Sequence, residues 1–136
     1  MKGVLVDTSV WIDFFNNVDT KEADRLYSYI EEDYPVYLCA LILQEILQGF
    51  NRDKDYNIAK DLLLSYPFLR TEPIEFAVGA ADLYRRLKKK GKTIRKSNDC
   101  MIAYHAIHYN IPVLHRDRDF SMMAQYSRLK IVMLPA

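Results

Sequence analysis

Four separated stretches of this chain place a carboxylate where the neighbouring residues call for apolar contact. Asp7 directly follows the run Val4-Leu5-Val6, and Glu45 stands among Leu41, Ile42 and Ile46. Asp99 precedes Ile102, Ala103, Ala106 and Ile107, while Asp117 and Asp119 follow Pro112-Val113-Leu114. At about 100° per residue, Glu45 and Asp99 fall on the inward stripes of their helices, whereas Asp82 falls opposite Ala80 and Leu83 and reads as a surface acid. Acids gathered in one place repel, and such a site takes up protons unless a cation neutralises it. Oxygen-only donors suit Mg²⁺ or Mn²⁺, which proteins hold in carboxylate cages for work on phosphates. Each acid also has a local reading. Asp7 can cap a helix, Asp99 can be a first-turn acid, Asp117 a turn former, and Glu45 can reach solvent or pair with an arginine. The local readings leave unexplained why all four map to one end of a sheet or to inward faces.

The elements that position these acids follow from periodicity. Val4 to Val6 reads as a buried parallel strand, putting Asp7 at its carboxyl end, where open α/β sheets bind their ligands. A helix capped by Thr8 or Ser9 follows, with Trp11, Ile12, Phe14 and Phe15 as its apolar surface. Helices are expected over Lys21 to Asp33, with Ala23, Leu26, Tyr27 and Ile30 inward, over Leu41 to Phe50, and over Asp53 to Tyr66, with Ile58, Leu62 and Leu63 inward. Gly49 is read as leaving room for close approach to the Glu45 face. The longest helix runs from Ile74 to Lys90, and Ser97 caps another that reaches about Asn110. Short strands are expected at Val36 to Cys39, Phe68 to Thr71, Ile111 to Leu114 and Lys130 to Met133, with His115 to Phe120 a loop and a helix around Ser121 to Tyr126. Strands alternating with helices predict an α/β fold, a three-layer α/β/α sandwich around a mainly parallel sheet, in one domain over residues 1–136.

Bulk properties narrow the partners. With 136 residues the chain is long enough to bury a core unaided, and its net charge of +1 gives no global pull toward nucleic acid or membrane. Cys39 and Cys100 are too few for a disulfide framework and fit a reducing compartment, so a cytoplasmic location is expected. Asp7 and Asp13 interrupt the apolar N-terminus well short of a membrane span. Charge is nevertheless clustered. Arg85, Arg86, Lys88, Lys89, Lys90, Lys92, Arg95 and Lys96 form an acid-free run ending just before Asp99, and Arg116 and Arg118 interleave the last acids. Lys88, Lys89, Lys92, Arg95, Lys96, Arg116 and Arg118 are the candidate phosphate contacts, although cations are also favoured at a helix C-terminus. His105 and His108 read as outward-facing and, with His115 in a loop, make a poor zinc set.

The segments DTSVWIDFF from Asp7, LILQEILQGF around Glu45, NDCMIAYHA from Asn98 and HRDRDF ending at Phe120 resemble the PIN domain family, specifically the VapC-type toxins of toxin–antitoxin pairs. The resemblance spans essentially the whole chain in order. It implies a Mg²⁺- or Mn²⁺-dependent endoribonuclease with the acidic set Asp7, Glu45, Asp99 and Asp117, Asp119 as an outer member, and Ser9 as the small hydroxyl residue beside the first acid. Asp7, Asp99 and Asp117 are the expected metal ligands. It further implies products with 5′-phosphate and 3′-hydroxyl ends, transfer or ribosomal RNA as substrate, a cognate antitoxin and a second copy of the chain as partners. His115 departs from the family, which carries Thr or Ser there. Two alternatives stand beside this reading: an inactive PIN-like domain that binds RNA or a protein, and a flavodoxin-like Mg²⁺-binding receiver. The receiver would need an adjacent acidic pair after the first strand, where Thr8 and Ser9 stand instead.

Overall fold

The computed structural model describes residues 1–135. Strand β1 (Val4–Val6) is the centre of a three-stranded sheet, with β2 (Val36–Tyr37) on one side and β3 (Val113–Leu114) on the other, all parallel. Val4, Leu5 and Val6 are fully buried although successive side chains of a strand point to opposite faces. Both faces of the sheet are therefore covered, which is the three-layer arrangement expected for parallel strands. The two outer strands expected at Phe68 and Ile131 shrink to single parallel bridges, Leu38 with Phe68 and Val113 with Ile131. Pro67, which has no N–H to donate, precedes the first of these and contributes only its carbonyl, which accepts from the Leu38 N–H at 3.0 Å.

Seven helices connect and cover the strands among the described residues: α1 (Thr8–Phe15), α2 (Lys21–Glu31), α3 (Ala40–Leu47), α4 (Asp53–Leu63), α5 (Pro73–Lys89), α6 (Ser97–Tyr109) and α7 (Arg118–Gln125). No helix among these residues is long and apolar enough to cross a membrane. Helix α1 packs on α2 and α3, and α5 lies along α6. Three caps differ from expectation. Asp7 itself, not Thr8 or Ser9, caps α1; Lys96 rather than Ser97 precedes α6; and α7 begins at Arg118, capped by Asp117, so the expected loop is much shorter. In both acid-capped cases a carboxylate accepts a free N–H of the first turn, Ser9 for Asp7 and Asp119 for Asp117.

Several faces also differ. His105, expected outward, is buried, with Nδ1 2.7 Å from the Met101 carbonyl and its ring against Phe76. The helical wheel assumed one covered face, but α6 packs against α5 as well as α3 and α7, and Phe76, Ala80, Leu83 and Leu87 of α5 are buried. Ile12, Tyr27 and Ile58, expected inward, are exposed; Trp11, Ala23, Leu26 and Leu63 are buried as expected, with Val10 and Ala59 buried beside them. Gly49 is also exposed, so it marks no close approach. Asp82 is at the surface, as its position on the wheel requires.

One glycine sets the entry into β1. Gly3 has φ +144°, a conformation that side chains rarely adopt, and a Cβ there would lie 2.5 Å from the Tyr37 ring and 2.9 Å from the Pro35 carbonyl oxygen. Gly3→Ala is therefore expected to destabilise the protein by about 2–3 kcal/mol, read as a lower urea midpoint at unchanged slope. An unchanged midpoint would contradict this packing of β1 on β2.

Candidate active site

The acids reach one end of the sheet by different routes. Asp7 leaves the carboxyl end of β1, its N–H bonded to the Leu114 carbonyl of β3 at 2.9 Å, so strand pairing fixes its backbone. Its Oδ2 accepts from the Ser9 hydroxyl at 2.7 Å and from the Ser9 N–H at 3.2 Å. Burial pushes the Asp7 carboxyl above its usual range, and the Ser9 bonds pull it partly back. Glu45 on α3 is half-buried and its Oε1 accepts from the Thr8 hydroxyl at 2.7 Å. Two consecutive hydroxyls thus orient two acids from different elements.

Asp99 sits in the first turn of α6, 6% exposed. Its Oδ2 is buried without a hydrogen-bond partner. Its pKa is raised from 3.8 to about 7, chiefly by burial, then by the negative charges of Asp7 and Asp117, with Glu45 adding to them and Lys96 opposing. Asp117 and Asp119 come from the start of α7; Asp117 Oδ1 accepts the Asp119 N–H at 2.9 Å. Asp99, Asp117 and Asp119 each offer one carboxylate oxygen, and these three lie within 4.8 Å of one another. Asp7 and Glu45 lie outside that close group but near enough for their charges to act on Asp99. Asp119, expected at the periphery, is thus in the inner group, and Asp7 is not.

The basic residues divide. Lys88 and Lys89, in the last turn of α5, and Arg118 are exposed, while Lys92 lies over the Tyr126 ring at 5.7 Å. Lys96 is exposed and acts electrostatically on Asp99. Arg116 instead pairs with the buried carboxylate of Asp13, Nε 2.6 Å from Oδ2 and Nη2 3.2 Å from Oδ1. Arg95 bridges Asp117 and Asp119, at 3.2 and 3.4 Å. Two expected phosphate contacts are therefore engaged by carboxylates of the protein. His115 is half-buried with Nδ1 unpartnered, its ring 5.3 Å from Phe120, and burial lowers its pKa against the opposing charges of Asp7 and Asp117. Cys39 and Cys100 are free and buried, both thiols pushed up to about 11 and therefore protonated.

Sequence reasoning missed two contributors. From sequence Thr8 reads only as a cap, and its role as the Glu45 donor needs a contact 37 positions away. Asp13 carried a usable signal: it is an acid within the apolar stretch of α1, the same mark that singled out Glu45.

A family model for the PIN domain matches residues 4–126, and the chain belongs to the PIN domain family. It is 33% identical over 130 residues to Ribonuclease VapC11 of Mycobacterium tuberculosis, covering 93% of this chain and 96% of the relative. A VapC ribonuclease of Mycobacterium bovis matches with the same identity and coverage. DNA-bound VapBC from Salmonella typhimurium shares the fold with a TM-score of 0.72 at 17% identity, covering 97% of this chain and 98% of that chain. FitAcB from Neisseria gonorrhoeae gives 0.67 at 25% identity, covering 94% and 95%. Membership in this family sets aside the receiver alternative.

The raised Asp99 carboxyl has a thermodynamic consequence. Between its ordinary 3.8 and about 7 the folded state holds a proton that the unfolded chain releases, so this stabilising contribution is whole below pH 3.8 and is lost as pH rises through about 7. Asp99→Asn is expected to raise stability by roughly 2 kcal/mol at pH 8 in EDTA and to leave it unchanged at pH 3.5, measured by urea unfolding. Equal stability of the two proteins at both pH values would show that Asp99 is not strained.

Proposed function

We propose that this chain is a Mg²⁺- or Mn²⁺-dependent endoribonuclease acting as the toxin of a type II toxin–antitoxin pair. The carrying observation is the buried, unpartnered Asp99 Oδ2 beside the carboxylates of Asp117 and Asp119. The donors are carboxylate oxygens, and the charge crowding that raises Asp99 is what a hard divalent cation relieves, so the residues fit such an ion. Asp99, Asp117 and Asp119, whose oxygens converge, would hold it, with Asp7 as a further ligand from the end of β1. Once bound, the ion supplies an activated water and neutralises charge developing on the phosphate.

The remaining steps belong to the chain's own side chains. Thr8 holds Oε1 of Glu45, which leaves Oε2 to take the proton of the attacking water. Ser9 holds Asp7 through Oδ2, with its hydroxyl and its N–H. Water adds to phosphorus and the ribose 3′ oxygen leaves with a proton, giving a 5′-phosphate and a 3′-hydroxyl. Lys88, Lys89, Lys92, Lys96 and Arg118 supply the positive track for the backbone of a transfer or ribosomal RNA loop. The protein works in the cytoplasm, where these RNAs are. Ile12, Val18 and Tyr27 are exposed near half-buried Phe14 and Phe15, an apolar surface suited to the antitoxin or a second copy. The VapC name of the relatives supports this assignment.

Two outcomes test it. Purified protein with total RNA should cut in Mg²⁺ or Mn²⁺ and stop in EDTA, and Asp99→Asn should lose at least 100-fold in rate while still binding RNA. Binding with no cation-dependent cleavage by the unaltered protein would indicate an inactive RNA-binding relative. Replacing Lys88, Lys89 and Lys92 together by Gln should weaken RNA binding and flatten its log–log salt slope by about 2, at roughly 0.7 per lost contact. An unchanged slope would place the RNA elsewhere.

A further inference from the structure

Arg95 stands in an unusual place for a residue of a basic, solvent-facing segment. It belongs to the connection between α5 and α6, its side chain is 63% exposed, and yet its guanidinium is turned back onto the acids. Nη2 donates to Asp117 Oδ1 at 3.2 Å and Nε to Asp119 Oδ2 at 3.4 Å. These are two of the three carboxylates whose oxygens converge. Asp99, the third, receives nothing from it and keeps a buried oxygen without a partner. The side chain thus partners two of the three acids and leaves the third, Asp99, without one.

We propose that Arg95 is an internal, exchangeable counter-ion that competes with the divalent cation for Asp117 and Asp119 and so sets how tightly the site binds metal. The inference rests on the metal-dependent reading above. A guanidinium and a divalent ion on the same two carboxylates repel, so metal binding must displace Arg95 or accept its charge nearby. Solvent reaches the bridge from the arginine side, where the side chain is 63% exposed against 19% and 10% for the two carboxylates, so a competing ion or phosphate can approach the guanidinium from water. Arg95 uses two of its five N–H groups on the acids, and the others are available to a phosphate oxygen. A phosphate that draws the guanidinium away strengthens metal binding, and by linkage the metal strengthens phosphate binding.

The test is titration of the full chain with MnCl2 by calorimetry, at fixed pH and ionic strength, for the unaltered protein, Arg95→Gln and Arg95→Lys. Arg95→Gln should bind Mn²⁺ about tenfold more tightly, with Arg95→Lys between the two because it keeps the charge but loses the two-pronged bridge. In EDTA at pH 8 Arg95→Gln should melt lower than the unaltered protein, its two acids having lost their partner, and saturating Mn²⁺ should close the gap. Equal or weaker Mn²⁺ binding by Arg95→Gln, with the unaltered protein still binding, overturns the counter-ion role alone. Failure of all three proteins to bind Mn²⁺ overturns the metal-dependent reading as well.

Discussion

Mutual repulsion among buried carboxylates is the constraint around which this molecule is built. Asp7, Asp99 and Asp119 are each less than a tenth exposed, and Asp117 is only partly so. Charges of one sign in such a setting are held by local partners, by protonation or by a cation. The protein supplies the first for most of them: Ser9 for Asp7, Thr8 for Glu45, and Arg95 for Asp117 and Asp119. Asp99 is left to protonation, with a pKa of about 7, or to an ion. The strain is concentrated on one oxygen.

That concentration depends on a rigid frame. The sheet is short, but its central strand is sealed on both faces, and Asp7 is tied by a backbone bond to Leu114 of β3, three residues before Asp117. The bidentate pair between Arg116 and Asp13 ties the turn before α7 to α1, joining residues 103 positions apart. A planar guanidinium on a buried carboxylate is the stronger kind of ion pair, and here it clamps the turn that carries two acids. Asp7 and Asp117 each cap a helix through one carboxylate oxygen, Oδ2 and Oδ1 respectively, as a helix N-terminus needs an acceptor at that position.

The alternation of strand and helix was legible because it is written in local periodicity, and β1 with Asp7 at its end follows from a three-residue apolar run and the polar residues after it. Asp99 was legible as a buried acid because its own helix supplies the apolar context. What could not be read depended on contacts between distant segments. His105 needed knowledge that α5 covers α6; the pairing of Arg95 with Asp117 and Asp119 spans more than twenty positions. A basic run looks the same in sequence whether it faces RNA or folds back on an acid. The outer strands failed for another reason: with one bridge each, they are set by the edge of the sheet and not by their own side chains.

The most direct measurement is an anomalous difference map from crystals of the chain soaked in MnCl2. A peak within ligand distance of carboxylate oxygens of Asp99 and Asp117, with Arg95 swung away from Asp117, is the result this account predicts. A map with no peak at these acids and Arg95 still bridging Asp117 and Asp119 at saturating Mn²⁺ would contradict it.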